Sequence, residues 1–292
     1  MSTAEWILGI AVSTIRLSTP LIFAGLGGLL SERSGVINIA LEGFMLVGAF
    51  SAAVFALVTG SPWLGFFAGG LAGSLFAAIY ALFVLRYRSD QIVAGTAINV
   101  LAAGITPFVC QVLYGSTNAT PGLAMAGRFV SAPMVVSWIA AIVVIAWWRF
   151  SVSGLWVRFA GEHPEALETS GISVLRTRTL CVLLSGFLAG LGGASLTTFL
   201  SSSFARGISA GRGFMALAAI ILGAWKPIPT VLACLLFGLA DALQIQLQGV
   251  VLWGEDPVPV QFIQILPYIV TLVVLSGFVG GSRAPKRLGI PL

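Results

Sequence analysis

Apolar stretches about as long as a bilayer-spanning helix recur from one end of this 292-residue chain to the other, with short polar interruptions. A spanning helix needs roughly 20 apolar residues. Such stretches read near 6–31, 36–58, 63–85, 91–114, 134–148, 179–200, 213–225, 229–248 and 262–280. Backbone polar groups in hydrocarbon must be satisfied by the protein itself, which leaves helices or a closed barrel as spanning solutions. No run shows the alternating apolar and polar period of a barrel strand. The reading is an all-α polytopic transmembrane helical bundle of about nine spans, a single domain over 1–292. The fifth and seventh stretches are short, so the expectation there is a thinned bilayer or a broken, re-entrant element. Whether 201–226 spans or re-enters stays open.

Composition excludes the competing classes. Charged residues make up 9% of the chain and apolar ones 58%, against about 25% charged in soluble domains. That deficit excludes an ordinary water-soluble enzyme, a disordered tail and a nucleic-acid binder with a basic face. Cys110, Cys181 and Cys234 lie far apart in apolar stretches and His163 is the one histidine, so neither a disulfide framework nor a metal site is expected. No catalytic residues are expected either. The first cation is Arg16; without a charged leader the first stretch reads as a retained span and not a cleaved signal.

Cations set the orientation. With the 149–178 loop placed in the cytoplasm, eleven fall inside (Arg33, Arg86, Arg88, Arg149, Arg158, Arg176, Arg178, Lys226, Arg283, Lys286, Arg287). Three fall outside (Arg128, Arg206, Arg212), and Arg16 lies within the first span. The positive-inside rule then puts the N-terminus outside and the C-terminus inside. Trp63, Trp138 and Trp253 sit near span ends, where an aromatic belt is expected.

Polar residues inside the spans are the candidate pathway or polar core. Asn38 and Glu42 share a helix face, as do Asp241, Gln244 and Gln248; Gln91 and Asn99 lie along the fourth span. Carboxylates are costly in hydrocarbon and face protein or water. Pathway lining and interhelical bonding stand level for Glu42 and Asp241, while Asn38, Asn99 and Gln244 read as structural. Gly65, Gly69 and Gly73, continued by Ala77 and Ala81, recur every four residues, as do Gly186, Gly190 and Ala194. Such spacing predicts close helix packing.

The polar stretch 161–172 (GEHPEALETSGI) predicts a short amphipathic helix. Pro164 suits its first turn, Glu165 and Glu168 its positive end, and Gly171 a left-handed cap. Alone, it reads as a connector.

With a Gly/Ala-rich span behind it, the same stretch resembles the coupling loop of ABC-importer membrane subunits. Residues 34–43 (SGVINIALEG) resemble a region of permeases in the branched-chain amino-acid, ribose and nucleoside group. Residues 90–99 (DQIVAGTAIN), 214–223 (FMALAAIILG) and 237–244 (FGLADALQ) are similar to its nucleoside or simple-sugar branch. The likeness runs from about 20 to 280. It implies a permease subunit for a small neutral polar solute, such as a nucleoside, in a bacterial inner membrane. It further implies that Gly161, Glu162, Pro164, Glu165, Ala166 and Gly171 couple the chain to a cytoplasmic ATPase. The implied partners are that ATPase, a second permease chain and an extracytoplasmic binding protein. Lys226 and Lys286 are the only lysines and neither sits in a phosphate-binding loop. ATP and Mg are therefore expected on the ATPase partner, with no cofactor on this chain. The alternative is a secondary transporter coupled to protons or cations through Glu42 and Asp241. A membrane scaffold would leave the buried carboxylates unexplained.

Overall fold

The computed structural model describes residues 3–247, positions 265, 269 and 272, and residues 284–290. Ten α-helices carry the described fold: α1 Thr3–Arg33, α2 Leu41–Thr59, α3 Pro62–Ala81, α4 Gln91–Tyr114, α5 Ala132–Phe150, α6 Val152–Glu162, α7 Pro164–Thr169, α8 Val174–Ser195, α9 Arg212–Leu222 and α10 Pro227–Leu247. Single π-helical turns extend α3 through Arg86 and α8 through Leu200. Among the described residues seven helices are long and apolar enough to cross a bilayer, and the one isolated β-bridge joins Ala119 to Ala205. The expected ninth span, with Gln248, Trp253 and Arg283, lies outside the described residues except at 265, 269 and 272.

The centre of the bundle is α2, α8 and the second half of α1, with α3 packed tightly against α2 and α8, and small residues explain that closeness. A Cβ on Gly65 would meet the Ala52 carbonyl, one on Gly69 the Gly48 carbonyl, and one on Gly73 the Gly186 carbonyl. Gly190 and Gly48 face each other in the same way, and Gly193 lies on the Met45 carbonyl. The two predicted small-residue ladders therefore pack on each other, backbone against backbone. α4 and α5 lie outside this centre and present large apolar side chains such as Val100, Phe108, Ile139 and Ile142 outward.

Four expectations are corrected. The fifth stretch, expected short, is the 19-residue α5, long enough to cross. The second span begins at Leu41, because 34–40 is non-helical chain lying inside the bundle. The seventh is an 11-residue helix, α9, about 16 Å long at 1.5 Å per residue and too short to cross unaided. The helix expected over 161–172 is two helices that break at His163, where the backbone leaves the helical region (φ −144°, ψ 71°) before Pro164 opens α7. The residue before a proline is driven out of helical geometry. Gly161 and Glu162 consequently end α6 and do not begin α7. The expected cap is present: Gly171 has φ +80°, and Ile172 N–H donates to the Leu167 carbonyl.

Candidate functional site

A non-helical stretch buried among spans leaves its backbone groups without helical partners, and side chains must supply them. Residues 34–40 meet this requirement from every side. Gln91 accepts from Ile37 N–H at 2.8 Å, and the Tyr80 hydroxyl donates to the Ile37 carbonyl at 2.5 Å. Ser31 Oγ donates to the Val36 carbonyl at 2.9 Å. Asn99 donates to the Ile39 carbonyl at 2.9 Å and accepts from Gly43 N–H at 2.8 Å, so one amide bridges the start of α2. Asn38, fully buried, donates to Ser185 Oγ on α8 at 2.7 Å.

Glu42 performs the matching task for α9. Its carboxylate accepts from Gly211 N–H at 2.9 Å and Gly213 N–H at 2.7 Å. It thereby fills two of the donors that a helix N-terminus leaves open, with its charge at the favourable end of the dipole. The N-termini of α2 and α9 thus meet inside the bundle around one carboxylate. Gly213 is required there, since a Cβ would strike the Glu42 backbone. Asp241 on α10 pairs with Arg212 at 3.8 Å, both side chains mostly buried. Gln244 is half-buried one turn further along. Asn38, Glu42, Gln91 and Asn99 are therefore brought together around the starts of α2 and α9. Asp241 reaches the α9 start through Arg212, between the two glycines that Glu42 caps; Gln244 stands apart on α10.

The end of the bundle bearing α7 holds a second network, centred on Arg178 and Glu32. Arg178 is buried at 1% exposure. It donates to the carbonyls of Ser34 (2.9 Å), Ala160 (3.1 Å) and Ile290 (3.2 Å). The charge pattern predicts a loop position for it, but its place on α8 in register with Cys181, Val182 and Ser185 puts it on the buried stripe. Gly35, at φ +100°, makes room for the guanidinium, against which a Cβ would collide. Glu32, also buried, accepts from Trp225 Nε1–H at 2.6 Å and from the Asn38 N–H. No sequence signal marks Glu32, which reads as part of a polar SERS tetrad.

Around this hub the coupling candidates take distinct places. Gly161 packs against the Arg33 carbonyl, so α6 abuts the end of α1. Glu162 pairs with Arg33 at 3.4 Å. Pro164 and Leu167 are buried, Leu167 on Ala160 and Val174. Glu165, Ala166, Glu168 and Gly171 point outward. Residues 284–290 strap the assembly: Arg287 N–H donates to the Gly161 carbonyl, its guanidinium pairs with Glu165, and Gly289 N–H donates to the Gly35 carbonyl.

Chain that breaks its helices inside a membrane bundle and holds the ends with polar side chains is a device of solute carriers. By class this is a multi-pass membrane permease. The chain belongs to the branched-chain amino acid transport system / permease component family, whose model matches residues 10–275. It is 38% identical to the guanosine ABC transporter permease protein NupQ of Bacillus subtilis, over 98% of this chain and 97% of that one. It is equally 38% identical to the nucleoside ABC transporter permease protein NupC of Lactococcus lactis, over 96% and 95% of the two chains. The fold resembles the solved inward-facing conformation of a metal-chelate type ABC transporter, with a TM-score of 0.51 over 92% of this chain and 85% of that one, at 15% identity.

Proposed function

We propose that this chain carries nucleosides inward as the permease of an ABC importer in a bacterial inner membrane, in a single domain of nine spans with its N-terminus outside and α7 in the cytoplasm. The observation that carries the reading is the braced α7: an exposed face of Glu165, Ala166 and Glu168 stands on a base tied through Arg178 to the 34–40 break. A push on that face by an ATPase has a continuous route to the break: α6, Arg178, Ser34, then Asn38 and the α2 start. The 38% identity to permeases named for guanosine and nucleoside transport supports the substrate class. ATP and Mg belong to the ATPase partner. A second permease chain and an extracytoplasmic binding protein complete the importer, and this chain performs no chemistry on the solute.

The test is guanosine uptake by vesicles containing the reconstituted importer, with and without ATP inside, and with a protonophore. Uptake that requires ATP and ignores the protonophore is expected. Uptake that needs no ATP and vanishes with the protonophore would replace this reading with a proton-coupled carrier.

A further inference from the structure

At the α7 end, a cavity of about 620 Å³ opens between the last turns of α1 and α5, helix α6 and the turn into α10. Four cations line it: Arg33, Arg149, Arg158 and Lys226. Arg33 alone of these has a carboxylate partner, Glu162; among the described residues no ion pair involves the other three. Glu32, the nearest carboxylate in sequence, is committed to Trp225. The Arg33 and Arg158 guanidiniums both lie 5.5 Å from the ring of Trp148, which fixes them by cation–π contact. The buried Nε of Arg33 has no acceptor within the protein.

The remaining walls are apolar. Ile145 and Ile228 line the cavity, and Ile228 continues into the outward-facing Leu232, with Ile142 beside Ile145 on α5. A hollow that is cationic at the end of the spans and apolar along them matches an anionic head on a hydrocarbon tail. We infer that this cavity binds the phosphate headgroup of an anionic phospholipid, its acyl chains lying against α5 and α10. Guanidinium and ammonium groups would take the phosphate oxygens as charge-assisted hydrogen bonds, and a tryptophan such as Trp148 suits a membrane interface. The site is independent of the solute carried.

The full chain, purified in detergent, is titrated with phosphatidylglycerol, phosphatidylcholine or inorganic phosphate and read by native mass spectrometry. Phosphatidylglycerol is expected to be retained at least tenfold better than phosphatidylcholine. The triple variant Arg149→Gln/Arg158→Gln/Lys226→Gln should lose about tenfold or more of that retention. A charge-matched control, Arg86→Gln/Arg88→Gln/Arg176→Gln, should keep it. Lys226→Gln alone, on an exposed side chain, should show a smaller loss even if the triple variant folds poorly. Equal retention of the two lipids, or unchanged retention in the Lys226 and triple variants, would overturn the assignment. Phosphate binding as tight as the lipid would give the cavity to a soluble anion. Displacement of bound phosphatidylglycerol by the ATPase subunit would give it to that partner. Either result would also overturn it.

Discussion

Glu42 and Asp241 are both carboxylates within spans, yet their surroundings assign them different work. Glu42 accepts two backbone N–H groups at the start of α9, so its removal leaves buried donors unmet. Each such group costs about 1–3 kcal/mol. Glu42→Gln keeps one acceptor oxygen and turns an amide N–H toward the second donor. A clear fall in the thermal unfolding midpoint in detergent is expected; an unchanged midpoint would show that α9 is capped without Glu42. Asp241 faces the Arg212 guanidinium, both side chains mostly buried, and an asparagine there keeps an oxygen that accepts from it. Asp241→Asn is expected to retain most ATP-dependent uptake in vesicles and to remain insensitive to a protonophore. Abolished proton sensitivity in the mutant, set against a sensitive wild type, would make Asp241 a coupling group.

Helix α7 has six residues, far too few to be stable alone. It exists because Pro164 starts it, Leu167 anchors it and Gly171 stops it. At Gly171 there is open space for a side chain but φ is +80°, so the penalty of Gly171→Val is backbone strain and not collision. Gly171→Val, and separately Glu165→Lys, which sets like charges against Arg287, should leave insertion intact while ATP hydrolysis outruns uptake. Unaltered coupling in both would reduce α7 to a connector. The α3 and α8 ladders behave differently, because their glycines touch backbone. Gly190→Leu would drive a side chain into Gly69 and Gly70, and overpacking of this kind destabilises by about 1–3 kcal/mol or more. Loss of the monodisperse purified protein is the expected result, whereas a well-folded variant would show that α3 and α8 can separate.

Across the molecule, Leu247 and the 284–290 strap stand at opposite ends of the bundle. Gln246 lies by Gly9 near the start of α1, while Arg287 and Gly289 bond to Gly161 and Gly35 near its end. The described inside-set cations collect at the strap's end, save that Arg178 is buried there and not in a loop. The three native cysteines are buried, which leaves a low background for thiol labelling. A cysteine at Asn118 should react with an impermeant reagent in intact cells, and one at Glu168 only after the membrane is opened. The reverse pattern would turn the bundle over and remove α7 from the reach of a cytoplasmic ATPase.

Much of this architecture was legible in the chain by itself, and the reason is local. Span length, the four-residue glycine period, Pro164 and Gly171 each act through neighbours within a turn or two, or through the uniform demand of hydrocarbon on every residue. Seven of the expected stretches coincide with helices of spanning length for that reason; of the two expected to be short, the seventh is the short α9 and the fifth is the full-length α5. What tertiary structure decided is which polar side chain answers which open backbone group. Asn99 serves the start of α2, Glu42 serves α9, and Arg178 joins three carbonyls more than a hundred residues apart in part. Those pairings depend on where the broken ends come to rest. A buried break creates its demand for partners only once the helices around it have packed, so no spacing along the chain records it.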